Sequence, residues 1–202
     1  MNSEHGPTAL RVHRFLPGSY ANGPGYRAVL WLQGCTLGCP GCFNPETHTA
    51  QAGEWIDVEA LVEQIILLQN RIEGLTISGG EPLQQIDGLT SLLESLRERT
   101  HLSTLVFTGF AWDEVNRMPR GERLLRSIDV LIAGRFKAEQ RLARGLRGSN
   151  NKTVHFLTER YSAADLERIP DGEIVIQPDG SMDLSGIDPL HWPGEGNGNH
   201  SK

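Results

Sequence analysis

Hydrophobic and polar positions along the chain follow two rhythms. Residues 9–16 alternate loosely, the pattern of an edge strand. Residues 27–33 (RAVLWLQ) form a short apolar run, which predicts a buried strand. Beyond them, Val58, Leu61, Val62, Ile65, Ile66 and Leu68 recur at helical spacing, with Asp57 as a natural cap in front. Gly74 ends that helix, and residues 75–78 predict the next strand. Leu89, Leu92, Leu93 and Leu96 mark a second helix, and residues 104–108 (TLVFT) a third strand. Short helices are expected over 112–118 and 122–127, and a fourth strand over 129–133 (DVLIA). Residues 153–157 and 173–177 are further strand candidates, with a helix over 163–168 between them. Strand alternating with helix predicts an α/β fold, a parallel sheet with helices packed outside it. Residues 1–24 read as an N-terminal strand and loop, 25–190 as the domain, and 191–202 as a polar, glycine-rich tail expected to be disordered.

Composition narrows the class. With 202 residues, 38% of them hydrophobic, the chain is long enough to bury one core. A net charge of −6 argues against a general nucleic-acid binder. No apolar run reaches the ~20 residues that span a bilayer, and the opening MNSEHGPTAL lacks the layout of a signal peptide. A cytoplasmic protein with no membrane and no nucleic-acid partner is expected. There is no Walker-type phosphate loop and no G-x-G-x-x-G.

The three cysteines change the picture more than any percentage, because all of them lie between Cys35 and Cys42. An odd number packed so tightly is not a disulfide framework. The motif is C-x-x-x-C-x-x-C, and Gly34, Gly38, Pro40 and Gly41 supply tight turns that wrap a loop around a compact inorganic core. Thiolates bind soft metals and iron–sulfur clusters. A four-iron cluster on three thiolates leaves one iron without a protein thiolate, an open position where substrate chemistry occurs. A structural zinc site on Cys35, Cys39, Cys42 and His48 is the alternative that the loop by itself leaves open.

A second motif, Ser78-Gly79-Gly80-Glu81-Pro82, follows a predicted buried strand. Its two glycines let a ligand approach the backbone, and Glu81 offers a carboxylate suited to an ammonium group. The cysteine loop, this turn, Thr108-Gly109 and Gly134-Arg135 all follow strands. In parallel α/β folds, sites gather at the carboxyl ends of strands, so these four segments are expected to meet at one mouth.

Together the two motifs resemble those of the radical S-adenosylmethionine superfamily, and within it the glycyl radical enzyme activases of anaerobic (class III) ribonucleoside-triphosphate reductase. LQGCTLGCPGCFNPETH at 32–48, SGGEP at 78–82, FTGF at 107–110, IDVLIAGRF at 128–136 and LRGSNN at 146–151 carry the resemblance, over roughly residues 25 to 158. It implies a partial, open (βα) barrel of parallel strands with helices outside. It implies a [4Fe-4S] cluster on Cys35, Cys39 and Cys42, with S-adenosylmethionine on the fourth iron. Glu81, with the backbone of Gly79 and Gly80, would hold the methionine ammonium, and Gly41, Cys42 and Phe43 would run alongside the adenine. The chain would then be an oxidoreductase that cleaves S-adenosylmethionine to a 5′-deoxyadenosyl radical. It would place a glycyl radical on a partner reductase, fed by a flavodoxin- or ferredoxin-like electron donor. A radical enzyme for another peptide or small molecule, and the zinc-stabilised binding module, are the competing readings.

Two positions stand out against that family. Gly41 precedes the third cysteine, as in the Cys-Pro-Gly-Cys typical of the reductase activators. Ala133 stands where activators usually carry an Asp, and Asp129 is displaced from it by ~13 Å along the strand. Arg135 remains as a candidate partner for the methionine carboxylate. The stretch holding Arg135, Lys137, Arg141, Arg144, Arg147 and Lys152 contains one acid, Glu139, and reads either as a solvated loop or as a dock for an acidic partner. Gly148 to Asn151 is a candidate anion nest.

Overall fold

The computed structural model describes residues 8–176, 179–180 and 182–187. In chain order the elements are β1 (Ala9–Ser19), β2 (Arg27–Leu32), β3 (Glu54–Asp57), α1 (Val58–Ile66), β4 (Gly74–Gly79), α2 (Ile86–Arg99), β5 (Ser103–Thr108), α3 (Trp112–Arg117), α4 (Gly121–Leu125), β6 (Val130–Ala133), β7 (Arg141–Arg144), β8 (Arg147–Ser149), β9 (Thr153–Phe156), α5 (Ala163–Leu166), β10 (Gly172–Ile176) and β11 (Met182–Gly186).

Seven strands form one sheet in the order β3-β1-β2-β4-β5-β6-β9. The central strands β2, β4, β5 and β6 are parallel. The flanking strands β1, β3 and β9 run antiparallel to their neighbours. The sheet is open, ending at β3 and β9, and no closed barrel forms among the described residues. The central strands are continuous apolar runs because both of their faces are covered. On one face Leu30, Leu75, Ile77, Val106 and Leu131 pack with Leu61, Val62 and Ile65 of α1 and Leu89, Leu92, Leu93 and Leu96 of α2. On the other, Leu105, Val130 and Ile132 meet Leu146 and Leu166. Asp57 caps α1 as expected, its carboxylate accepting from the amides of Glu59 (2.9 Å) and Ala60 (3.4 Å).

Three expectations are corrected. The strand read over 9–16 is not an edge, because β3 pairs along its outer side and becomes the edge itself. The strand over 153–157 joins the sheet antiparallel to β6, since no α-helix intervenes to carry the chain back for a parallel pairing. The strand over 173–177 is outside this sheet and forms a hairpin with β11. The tail expected at 191–202 lies outside the described residues.

One feature of the sheet was not visible as a pattern. Arg27, at the start of β2, is fully buried. Its guanidinium donates to Thr76 Oγ1 (2.9 Å), Ser103 Oγ (2.7 Å) and the carbonyls of Leu75 (2.9 Å) and Ser103 (3.2 Å). A buried charge survives only when its donors are satisfied in this way. Arg27 thus ties β2, β4 and β5 together at their amino ends, opposite the end where the functional motifs lie.

Candidate active site

The cysteine loop leaves the carboxyl end of β2 and closes on itself at its root. The amide of Gly34 donates to Thr47 O (2.7 Å) and that of Cys35 to His48 O (3.0 Å). Gln33 pins the return, its Nε2 donating to Glu46 O (3.0 Å) and Thr49 O (2.9 Å). Within the loop Gly38 (φ 62°) and Gly41 (φ 68°) adopt left-handed backbone, which lets the chain turn just before Cys39 and just before Cys42. Cys35, Cys39 and Cys42 are all free, half-buried thiols. All three line one cleft of about 290 Å³.

The Gly79-Gly80-Glu81 turn is stitched to that root. Gly80 donates to Leu32 O (2.8 Å) and Glu81 to Gly34 O (2.9 Å). A Cβ on Gly79 would stand 2.4 Å from Leu32 O, and one on Gly80 would stand 2.3 Å from Gly34 O. The expected reason for the glycines was close approach of a ligand. The structure adds a different one, since their missing side chains let the ends of β2 and β4 touch backbone to backbone. Both glycines also line the cleft.

Glu81 is 1% exposed, and both oxygens of its carboxylate accept hydrogen bonds from neighbours. Oε1 accepts from Leu83 N (2.9 Å) and Thr108 Oγ1 (2.8 Å), and Oε2 accepts from Gly109 N (2.7 Å). This carboxylate therefore clamps the end of β4 to the end of β5. Burial pushes its pKa up, against the pull of these donors and of the nearby Lys152 ammonium. Burial likewise pushes the thiols of Cys35 and Cys42 up. Three of the four segments expected at the carboxyl ends of the strands share the cleft, through Cys35 after β2, Glu81 after β4 and Thr108-Gly109 at the end of β5; of the fourth, Gly134 and Arg135 are not in its wall, and Phe136 just after them is.

A match to a protein-family model, described as a 4Fe-4S single cluster domain, spans residues 21–155. The anaerobic ribonucleoside-triphosphate reductase-activating protein of Escherichia coli K12 is 33% identical over 156 residues, 73% of this chain and 99% of the relative. Its counterpart in Haemophilus influenzae is 36% identical over 150 residues, 70% of this chain and 95% of the relative. That of enterobacteria phage T4 is 29% identical over 149 residues, 72% of this chain and 93% of the relative. The chain belongs to the family of anaerobic ribonucleoside-triphosphate reductase-activating proteins.

Within this family member, the residues singled out in the sequence have different fates. Phe43 lines the cleft, its ring 4.5 Å from that of Phe136 and beneath the Arg141 guanidinium at 5.0 Å. Gly41 is exposed and lies outside the cleft wall. Arg135 is also outside that wall. Its guanidinium forms a forked pair with Glu114 (2.6 and 3.1 Å) and lies 5.6 Å from the Phe110 ring centre. Ala133 is buried in the core on the helix side of the sheet, where an Asp would set a carboxylate among apolar side chains. Asp129 sits at the opposite end of the sheet, accepting from Thr104 N (2.8 Å) and Thr158 Oγ1 (2.8 Å). His48 does not line the cleft. Among the described residues no three Cys, His, Asp or Glu side chains are grouped to grip a single ion, so the Cys3His zinc arrangement is not formed.

The basic stretch is folded: β7 and β8 form a hairpin, and Arg144 pairs with Glu167 (2.5 Å). In the candidate nest, the amide of Asn150 donates to Gln140 O (2.7 Å), and Ser149 O accepts from the amide of Lys152 (3.1 Å). Sequence reasoning put Thr108 at the mouth but not as the partner of Glu81, and it gave Lys152 no place in the cleft. The signal for Thr108 was its place at a strand end; Lys152 was hidden among surface-like charges. Among the described residues no helix is long and apolar enough to cross a membrane.

Proposed function

We propose that this chain is the activating enzyme of an anaerobic ribonucleoside-triphosphate reductase, a radical S-adenosylmethionine enzyme that places a glycyl radical on its partner. The observation that carries this reading is the shared cleft, where three free thiols on one loop face a buried carboxylate at the end of the adjacent parallel strand. The donor set fits a four-iron, four-sulfur cluster: all three ligands are soft thiols in one cleft, and among the described residues they are not grouped to grip a single ion. Cys35, Cys39 and Cys42 would hold it. When bound, the cluster supplies the electron that cleaves S-adenosylmethionine to a 5′-deoxyadenosyl radical, the species that takes hydrogen from the partner's glycine.

The protein's own contribution is binding, orientation and exclusion of water. Burial keeps the free thiols of Cys35 and Cys42 protonated, so ligation releases protons and loading is favoured by rising pH. Glu81 is held rigid by its three donors, which leaves its second oxygen with acceptor capacity for the ammonium of the methionine moiety. Phe43, backed by Phe136, offers an apolar wall to the adenine. In this reading β2, β4, β5 and β6, with their helices, are the partial, open (βα) barrel of the superfamily. A flavodoxin- or ferredoxin-like protein would supply the electron.

The test is anaerobic reconstitution with iron and sulfide, reduction, and addition of S-adenosylmethionine and the anaerobic reductase of the same source. A glycyl-type doublet in electron paramagnetic resonance is expected. Formation of 5′-deoxyadenosine with no protein radical on any reductase would remove the partner from the reading, and absence of a reducible cluster would remove the chemistry.

A further inference from the structure

Two positive side chains that the reading above does not use line the cleft, Arg14 and Lys152. Arg14 is paired with Asp183. Lys152 follows β8 and lines the same wall as Cys39, Cys42 and Glu81. Its ammonium donates to Gly134 O, the carbonyl that closes the end of β6. An ammonium has three donors, and among the described residues that of Lys152 makes no other hydrogen bond and no ion pair. Its surroundings are poor in water: burial holds its pKa below the ordinary lysine value, against the opposing pull of Glu81 and of the Cys39 and Cys42 thiols.

Two opposite charges therefore face one small cavity without pairing to each other. Glu81 enters from the end of β4 and Lys152 from beyond the end of β6. A cavity that presents a buried carboxylate and an ammonium side by side is the complement of a zwitterion, an amino acid with its ammonium toward the first and its carboxylate toward the second. Arg135, the other basic candidate, is occupied by Glu114 and is not in the wall. We propose that Lys152 is the residue that binds the α-carboxylate of the amino-acid moiety of S-adenosylmethionine in this chain, opposite Glu81. The assignment rests on S-adenosylmethionine being the cleft's ligand.

Cluster-loaded, unreduced protein is titrated by calorimetry with S-adenosylmethionine and with its decarboxylated analogue, which keeps the sulfonium and adenosine and lacks the carboxylate. The unmodified protein is expected to prefer the carboxylate-bearing ligand by roughly ten- to a hundredfold, the range for a charge-assisted pair. In Lys152→Gln that preference is expected to collapse toward unity while affinity for the analogue is kept, and Lys152→Arg is expected to restore part of it. Iron and sulfide counts on each variant check that the cluster is still loaded. The same preference in Lys152→Gln as in the unmodified protein overturns the assignment. So does equal binding of both ligands by the unmodified protein, a result that needs no variant to fold. Binding of neither ligand would instead overturn the reading of the cleft on which the assignment rests.

Discussion

Gly80→Ala is the most informative single perturbation, because it adds one methyl group at the seam between the two functional motifs. The new Cβ would stand 2.3 Å from Gly34 O, 2.8 Å from Gly34 C and 3.0 Å from Thr47 O, where ordinary contact begins at 3.4 Å. All three neighbours are backbone, so no rotamer change relieves the overlap. The turn and the root of the cysteine loop must separate by about 1 Å, the shortfall at Gly34 O. That movement strains the two bonds across the seam, Gly80 N to Leu32 O (2.8 Å) and Glu81 N to Gly34 O (2.9 Å). Overpacking costs about 1–3 kcal/mol, and two weakened backbone bonds add about 1 kcal/mol each. The stiffer unfolded chain returns about 0.5–1 kcal/mol. The net loss is about 2–4 kcal/mol, which at this length lowers the melting temperature by roughly 5–15 °C.

Gly38→Ala is the control. A Cβ there meets nothing within 4 Å, and the only penalty is the left-handed backbone at φ 62°. That penalty is about 1 kcal/mol. Thermal unfolding of the metal-free, reduced protein, followed by circular dichroism, compares the two. Gly80→Ala melting within about 2 °C of the unmodified protein, or no lower than Gly38→Ala, would refute the seam.

Other outcomes follow from the same geometry. Cys39→Ala is expected to abolish stable four-iron loading, read as iron and sulfide per chain after anaerobic reconstitution; full loading would sink the ligand assignment. Arg135→Gln is expected to weaken S-adenosylmethionine binding less than Lys152→Gln does, and by under about fivefold, the ceiling for an exposed ion pair; calorimetry decides between them. His155 stacks on Trp112 (4.1 Å, 12° between planes), and burial holds its pKa below the ordinary 6.5. The unfolded chain therefore binds a proton that the folded chain resists, so this contribution is complete above pH 6.5 and is lost as pH falls below it. His155→Phe should flatten that part of the urea-measured stability profile, and an unchanged slope would count against it.

Much of the fold was legible because its signals are local. The apolar runs of β2, β4, β5 and β6 and the 3.6-residue spacing of α1 and α2 each depend on near neighbours in the chain. The direction of β9 was not legible, because it depends on whether a helix or a hairpin bridges the gap after β6. The outer position of β3 was equally hidden, since a four-residue strand carries little pattern of its own. At the site, Cys35, Cys39 and Cys42 were readable from spacing. Arg135 and Lys152 were indistinguishable as letters, two basic residues in one basic stretch.

By itself, the sequence determined the candidate donor set: three soft ligands at fixed short spacing and a Gly-Gly-Glu turn after a strand are covalent facts that survive any packing. Only the tertiary structure decided which charges stand in the cleft. A lysine or an arginine becomes a ligand-binding residue through what surrounds it. Arg135 found Glu114 and half-exposed space, whereas Lys152 was folded into the cleft beside the thiols with donors to spare. The same holds for the glycines of the turn. Their place in the motif is a matter of sequence, but the contact they permit, with the root of a loop more than 40 residues away, exists only once β2 and β4 lie side by side.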